Sequence, residues 1–368
     1  MRLLTLDIRS FRSHADTSLQ LGDGVTLIHG RNGTGKTNIL EAIHYVCLTK
    51  SFLSSSDADC LRFDAAHFEL EADLQSDAAQ PAQAVRVYYS EAEGKNVFIN
   101  RAPLESFSQI VGEFPCIALS PADIALTQGS PQDRRKFLDA TVSQTNKAYL
   151  ADLVTYRRVL TQRNKLLSEL RFRKNSASQL DAWTESLINL SASIIEKRLS
   201  FTAEFASYIQ KAYSLFSSFE EVPSLRYDSE LVLPEQISRE SLTAALTQKF
   251  RLLSDEEIRR GITLSGPHRD DLEFKINGVS LRKYASQGQH KTFIICLRLA
   301  QHFYITALLG ERPVFLLDDV FSELDRDRVD NLIELLRPLG QSVITTTERR
   351  EFEAIRYINT SGLFESKL

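Results

Sequence analysis

Eight consecutive residues, Gly30-Arg31-Asn32-Gly33-Thr34-Gly35-Lys36-Thr37, satisfy the spacing G-x-x-x-x-G-K-[ST]. They lie between a short apolar run, Val25 to Ile28, and the helically spaced Ile39, Leu40, Ile43, Val46 and Cys47. Strand, loop and helix fall in the order that a phosphate loop needs. Glycine lets backbone N–H groups curl round a β-phosphate, and the helix start adds unpaired donors and the positive end of a dipole. Lys36 is placed to reach the β- and γ-phosphates, Thr37 to give a hydroxyl to Mg²⁺, and Asn38 to complete the stretch facing the nucleotide. Far along the chain, Val314-Phe315-Leu316-Leu317 runs into Asp318-Asp319, an apolar strand ending in two carboxylates. Asp318 is read as holding the Mg²⁺ through water, and Asp319 as orienting or deprotonating the attacking water. Alone, two acids there would equally cap the next helix. The phosphate loop favours the catalytic reading.

A phosphate loop does not by itself separate kinases, GTPases, helicases and transport motors. Ser286-Gln287-Gly288-Gln289 does, because it precedes a long amphipathic helix and then the carboxylate strand. A small hydroxyl residue and a glycine at a helix start form a second anion nest, here for a γ-phosphate, although a polar turn looks the same in isolation. Ser322-Glu323-Leu324-Asp325 follows the paired acids as a corresponding loop does in ATP-binding-cassette proteins, which adds Asp325 to the nucleotide-facing candidates.

The elements that must position these groups come from both ends of the chain. Residues 1 to about 118 read as strands with one strong helix: Phe68, Leu70, Ala72 and Leu74 alternate, as do Val85, Val87 and Tyr89 before EAEGKN and Val97-Phe98-Ile99. Ser120-Pro121-Ala122-Asp123 and Ser130-Pro131-Gln132-Asp133 then repeat a helix-start signal of capping serine, proline and acid. Leu153, Leu160 and Leu167, and after them Trp183, Leu187, Leu190, Ile194 and Phe201, mark an antiparallel helical hairpin within 119–262. Arms of about 20 residues would reach roughly 30 Å. From 263 to 368 the strand signals return, with Leu272, Phe274 and Ile276 leading into the turn Asn277-Gly278. The expected architecture is an α/β ATPase core, 1–118 with 263–368, split by a helical insertion.

Composition limits the setting. The 368 residues carry 43% hydrophobic and 25% charged side chains with a net charge of −4, so a packed core is available and no blanket positive field draws the chain to a polyanion. Cys47, Cys60, Cys116 and Cys296 form no C-x-x-C pair and suit buried thiols in the reducing cytoplasm. MRLLTLDIRSFRS is a strand pattern and not a signal peptide, and no apolar stretch is expected to span a membrane. One local asymmetry stands out. Between Tyr156 and Asn175, Arg157, Arg158, Arg163, Lys165, Arg171, Arg173 and Lys174 face the single acid Glu169, which is either a phosphate-binding patch or a solvated helix face. Arg134 and Arg135 serve either a nucleic acid or the fold, and His268-Arg269-Asp270-Asp271 is a hydrogen-bonded turn before it is a metal site.

Over almost its whole length the chain resembles the RecF family, relatives of Rad50 and structural-maintenance-of-chromosomes heads. The resemblance rests on FRSH at 11–14, GRNGTGKTNILEAI at 30–43, LSPADIALTQGSPQDRRKFLD at 119–139, SGPHRDD at 265–271, SQGQ at 286–289 and LLDDVFSELD at 316–325. It implies a P-loop ABC-type ATPase head and a weak, DNA-dependent ATPase of repair and replication. It also implies an ATP-driven homodimer on gapped or junction DNA, with RecR and RecO as partners in loading recombinase. Asp319 stands where cassette ATPases usually have Glu, and Thr345-Thr346-Thr347 stands where a switch histidine is expected, with Thr346 or Thr347 as its substitutes. Phe11 and Arg12 are further candidates to flank the base. A transport motor, a small-molecule phosphotransferase and a non-hydrolysing clamp remain as alternatives.

Overall fold

The computed structural model describes residues 1–78, 80–171, 177–216, 220–347, 352 and 355–360, with the backbone alone for 177–179 and 323. Arg173 and Lys174 therefore lie outside the described residues. The chain divides into two contact units, Met1–Ile124 with Lys211–Glu220 and Gln287–Leu368, and Ala125–Gln210 with Glu221–Ser286.

The N-terminal part supplies β1 (Arg2–Phe11), β2 (His14–Gln20), β3 (Val25–His29), α1 (Lys36–Leu48), β4 (His67–Gln75), β5 (Gln83–Ser90), β6 (Gly94–Ile99), β7 (Ala102–Pro103) and β8 (Cys116–Leu119). Alternation makes β4 two-faced: Phe68, Leu70, Ala72 and Leu74 are buried while their neighbours are not. The antiparallel sheet β2-β1-β4-β5-β6-β7 packs this apolar face with Ile39, Leu40, Ile43 and Val46 of α1 in one core, where each buried aliphatic side chain contributes about 1.5–3 kcal/mol.

Next come α2 (Ile124–Gln128), α3 (Pro131–Thr145), α4 (Lys147–Leu170), α5 (Ala177–Phe216), β9 (Pro223–Asp228), α6 (Arg239–Arg260), β10 (Asp271–Ile276), β11 (Val279–Ser280) and α7 (Leu281–Tyr284). Both serine-proline starts close capping boxes, Ser120 with Asp123 and Ser130 with Asp133. α4 and α5 run antiparallel, since Tyr149, Asp152 and Arg163 of α4 bond Arg198, Lys197 and Thr184 of α5. At 1.5 Å per residue, the 24 residues of α4 span about 36 Å. Asn277 and Gly278 take φ of 50° and 77° to turn β10 into β11, as a two-residue hairpin requires. β10 also pairs with β9 along its whole length. Residues 263–286 therefore fold with the helical unit and not with the ATPase core, which moves the expected boundary at 262 to Ser286.

The chain returns through α8 (Gln287–Leu309), β12 (Val314–Leu317), α9 (Arg326–Leu336), β13 (Ser342–Thr346) and β14 (Arg356–Asn359). These build the parallel sheet β14-β3-β13-β12-β8. β8, β12 and β13 are buried at every residue, as strands covered on both faces must be. α8 is long and apolar enough to cross a membrane by length and composition, contrary to the reading of the sequence, but 67% of its apolar window is buried inside the protein. Its Arg298 is paired with Asp123 at 2.7 Å. It is a core helix.

The helical unit buries cations that the charge count places on its surface. Arg163 is 2% exposed and bonds Glu257 at 2.6 Å, Thr263 at 2.8 Å and Thr184 at 3.0 Å, with its guanidinium over the Phe250 ring. Arg134 forks onto Asp271 with two bonds of 2.8 Å, and Arg135 donates to the Asp270 carbonyl. His268 accepts or donates at Tyr156 Oη, 2.5 Å away, which makes this segment the hydrogen-bonded turn expected. Arg158, Lys165 and Arg171 are left exposed on the arm, with Arg157 exposed but 3.4 Å from Asp139. Arg163→Ala would strand the wholly buried Glu257 carboxylate. It is expected to cost about 3–5 kcal/mol in urea unfolding, while Arg158→Ala stays within about 0.5 kcal/mol.

Candidate nucleotide-binding site

The carboxyl ends of β3, β13 and β12 are level, with His29 opposite Thr346 and Leu317 opposite Ile344, so the loops that leave them share one edge. Ligands of open parallel sheets bind at such an edge. From β3 the chain enters Gly30–Gly35 and then α1. Gly33 and Gly35 have φ of 81° and 71°, a region that disfavours side chains. A Cβ on Gly35 would lie 2.6 Å from Ser13 Oγ and 2.7 Å from His14 Nε2. His14 is fully buried, and burial holds its imidazole pKa below the usual value. The neutral ring donates through Nε2–H to the Gly35 carbonyl at 3.1 Å, because that oxygen can only accept, which leaves Nδ1 to accept from Thr17 Oγ1 at 3.0 Å. Ser13 Oγ accepts from Asn38 at 2.8 Å. The FRSH stretch is thus a brace for the phosphate loop. On the other side, Thr360 Oγ1 sits 2.8 Å from Thr34 Oγ1 and 2.0 Å from where a Gly30 Cβ would stand. FRSH at 11–14 entered the sequence reading only as part of the resemblance, with no role for His14, and no motif pointed to Thr360.

Lys36 Nζ donates to the Gly30 and Arg31 carbonyls, each at 2.8 Å. Burial lowers its pKa, against the pull of the Asp319 and Asp318 charges. Arg31 and Asn32 are exposed at the tip of the loop, and Thr34 Oγ1 closes it onto the Arg31 carbonyl. Thr37 Oγ1 donates to Asp318 Oδ1 at 2.8 Å, joining residues 281 positions apart. Thr345 Oγ1 donates to the same oxygen at 2.7 Å and accepts the Asp319 N–H at 3.0 Å. Desolvation nonetheless raises the Asp318 pKa, with those hydroxyls acting against it. Asp319 has φ of 48° and ψ of 33°. Its Oδ2 takes Ser322 Oγ at 3.1 Å, whereas its Oδ1 is buried with no hydrogen-bond partner among the described residues. Hydroxyl and carboxylate oxygens so close together suit a hard divalent cation that keeps water and phosphate ligands. No group of three or more His, Cys, Asp or Glu offers another metal site among the described residues.

Other candidates divide. Ser286, Gln287 and Gly288 are exposed and Gln289 half-buried at the start of α8. Asp325 caps α9, accepting Arg328 N at 3.0 Å, so its carboxylate has a structural task. Phe11 is fully buried against Tyr45 and Phe68 and does not face a base. Arg12 forks onto the buried Glu41 of α1 at 2.6 and 2.9 Å. Of the three threonines, Thr345 bonds Asp318 and the Asp319 N–H, because β13 puts it beside Leu317-Asp318; Thr346 is buried and Thr347 exposed.

A phosphate loop and paired carboxylates on one edge of a parallel sheet, an antiparallel sheet packed on the loop's helix and a helical insertion between loop and carboxylates in the chain define an ABC-type ATPase head. Comparisons with known proteins agree. The family model for the RecF/RecN/SMC N-terminal domain matches residues 2–365. The DNA replication and repair protein RecF of Chloroherpeton thalassium is 61% identical over 366 residues, 99% of each chain. That of Chlorobium phaeobacteroides is 42% identical over 364 residues, 99% of this chain and 100% of that one. The solved structure of the recombination mediator protein RecF-ATPrS in the RecFOR pathway superposes with a TM-score of 0.90 at 30% identity, covering 98% of this chain and 96% of that one. The chain belongs to the RecF family, whose heads are related to those of SMC and Rad50 proteins.

Gly35→Ala tests the brace. A side chain at φ 71° carries strain of about 1–2 kcal/mol, and its Cβ would push Ser13 and His14 off the loop. Binding of a fluorescent ATP analogue is expected to weaken about tenfold or more, with the far-ultraviolet circular dichroism spectrum unchanged.

Proposed function

We propose that this chain is a cytoplasmic, ATP-dependent DNA-binding protein of recombinational repair and replication restart. It binds Mg·ATP, dimerises head to tail on gapped or junction DNA, hydrolyses ATP slowly and DNA-dependently, and acts with RecR and RecO to help load recombinase. The observation that carries the reading is the buried Oδ1 of Asp319, without a partner among the described residues, beside the Thr37–Asp318 pair, an arrangement made for a ligand that brings its own donors. The relatives' role in DNA replication and repair, and the RecFOR pathway named for the structural neighbours, supply the biological setting.

In this reading the N–H groups of Gly33 to Thr37 cradle the β-phosphate, and Lys36 exchanges the Gly30 and Arg31 carbonyls for β- and γ-phosphate oxygens. Thr37 and Asp318 would hold Mg²⁺, which would supply neutralisation of phosphate charge. Asp319 accepts a hydrogen bond from the attacking water and orients it. Being one methylene shorter than Glu, it works at slow turnover. Ser286 and Gly288, exposed at the start of α8, would close on a γ-phosphate held by a second copy, so ATP and not ADP joins two heads. The exposed Arg158, Lys165 and Arg171 would meet DNA phosphates without regard to sequence.

Two measurements test this. Lys36→Met should abolish stable ATP binding, whereas Asp319→Asn should retain ATP and slow its cleavage; equal loss of binding in both variants refutes the assignment. Sedimentation with ATP, ADP and gapped DNA should show an ATP-specific dimer for the parent protein. Ser286→Arg should bind ATP as the parent does yet stay monomeric and fail to hydrolyse. A variant that dimerises like the parent would remove Ser286 from the interface.

A further inference from the structure

Asp318 and Asp319 are adjacent, equally charged and carried by one strand end, yet the nucleotide-site reading assigns them different work. We propose that Thr345 is the positioning residue that divides it, holding Asp318 for the metal and Asp319 for water. The inference rests on that reading of the site and adds a residue to it. Thr345 is 1% exposed near the end of β13, between the strand that feeds the phosphate loop and the strand that ends in the two acids. Pairing sets it opposite Ile28 on one side and one residue past the Ile344–Leu317 pair on the other.

A hydroxyl has one hydrogen to give and lone pairs to accept with. Donation to Asp318 Oδ1 at 2.7 Å leaves Thr345 Oγ1 to accept the Asp319 N–H at 3.0 Å, so one atom fixes both residues. With Thr37 on the same Oδ1 at 2.8 Å, the Asp318 carboxylate is held by two hydroxyls and keeps one orientation. At Asp319 the anchored N–H secures a left-handed backbone that a non-glycine residue disfavours. Ser322 Oγ meanwhile shares its one hydrogen between the Asp319 carbonyl, at 2.8 Å, and Oδ2, at 3.1 Å. Held at its backbone and at one oxygen, Asp319 presents Oδ1 without a partner among the described residues. Partners of metal-binding carboxylates that do not touch the metal orient them in this way and affect metal affinity strongly.

Thr345→Val removes the hydroxyl and keeps the branched shape of the strand. In the full chain, binding of a fluorescent ATP analogue is measured across a Mg²⁺ titration and in EDTA, together with turnover at saturating ATP. The valine variant should need about 10- to 100-fold more Mg²⁺ for half-maximal binding, lose turnover, and bind as the parent does in EDTA. Thr345→Ser should restore both. If Thr345→Val does not fold, Thr345→Cys, with a weak donor in the same place, is compared with Thr345→Ser and should show the same loss. Parental Mg²⁺ dependence and turnover without the hydroxyl would overturn the proposal. So would equal losses in Mg²⁺ and in EDTA, the mark of a purely structural residue. A parent protein without Mg²⁺-dependent nucleotide binding would instead overturn the reading of the site itself.

Discussion

A carboxylate taken out of water has to be given donors, and Asp318 receives them from hydroxyls on two other segments of the chain. That requirement dictates the order of the parallel sheet around it. Thr37 enters from β3 and Thr345 from β13, so β13 has to lie between β3 and β12 with level carboxyl ends, as it does. The insertion of a whole helical unit between residues 37 and 318 is compatible with this. The entropy of closing a loop grows only with the logarithm of its length, while a misplaced charge is penalised in full.

Around that fixed point, the loop is shaped for a guest. Lys36 rests on two carbonyls of its own loop, contacts that a phosphate can replace. Gly35 is pressed between Ser13 and His14, and Gly30 faces Thr360, so segments far apart in sequence meet the loop from two sides. Bracing of this sort keeps backbone N–H groups pointed at one place before any ligand arrives, which reduces the ordering that binding would otherwise require.

The helical unit shows the opposite use of charge. Residues 134–139 and 267–271 meet in a polar core: Arg134 binds Asp271, while Arg198, fully buried, bonds Asp139, Tyr149 and the Pro267 carbonyl. Tyr227 adds a bond to Asp270. These stretches carry the family resemblance, and the structure gives them the task of joining α3, the base of the arm and the start of β10. Burying an arginine is tolerable only with such complete pairing, and the same pairing withdraws it from any partner.

The sequence alone determined what depends on neighbours in the chain. Local spacing marked the phosphate loop, the carboxylate strand, both capped helix starts, the Asn277-Gly278 hairpin and the α4–α5 hairpin, because periodicity and turn chemistry act over a few residues. The cassette order of motifs carried the class of fold. Tertiary structure decided which equivalent residues do the work. A count of charges could not tell Arg163, inside against Glu257, from Arg158, outside, because helix faces are assigned only when helices pack. Strand register, and not composition, set Thr345 beside the two acids. Pairing of β10 with β9 moved 263–286 into the helical unit. Burial turned Phe11 into core and Arg12 into the partner of Glu41, and in each case the deciding contact is with a residue distant in sequence, where no local pattern can record it.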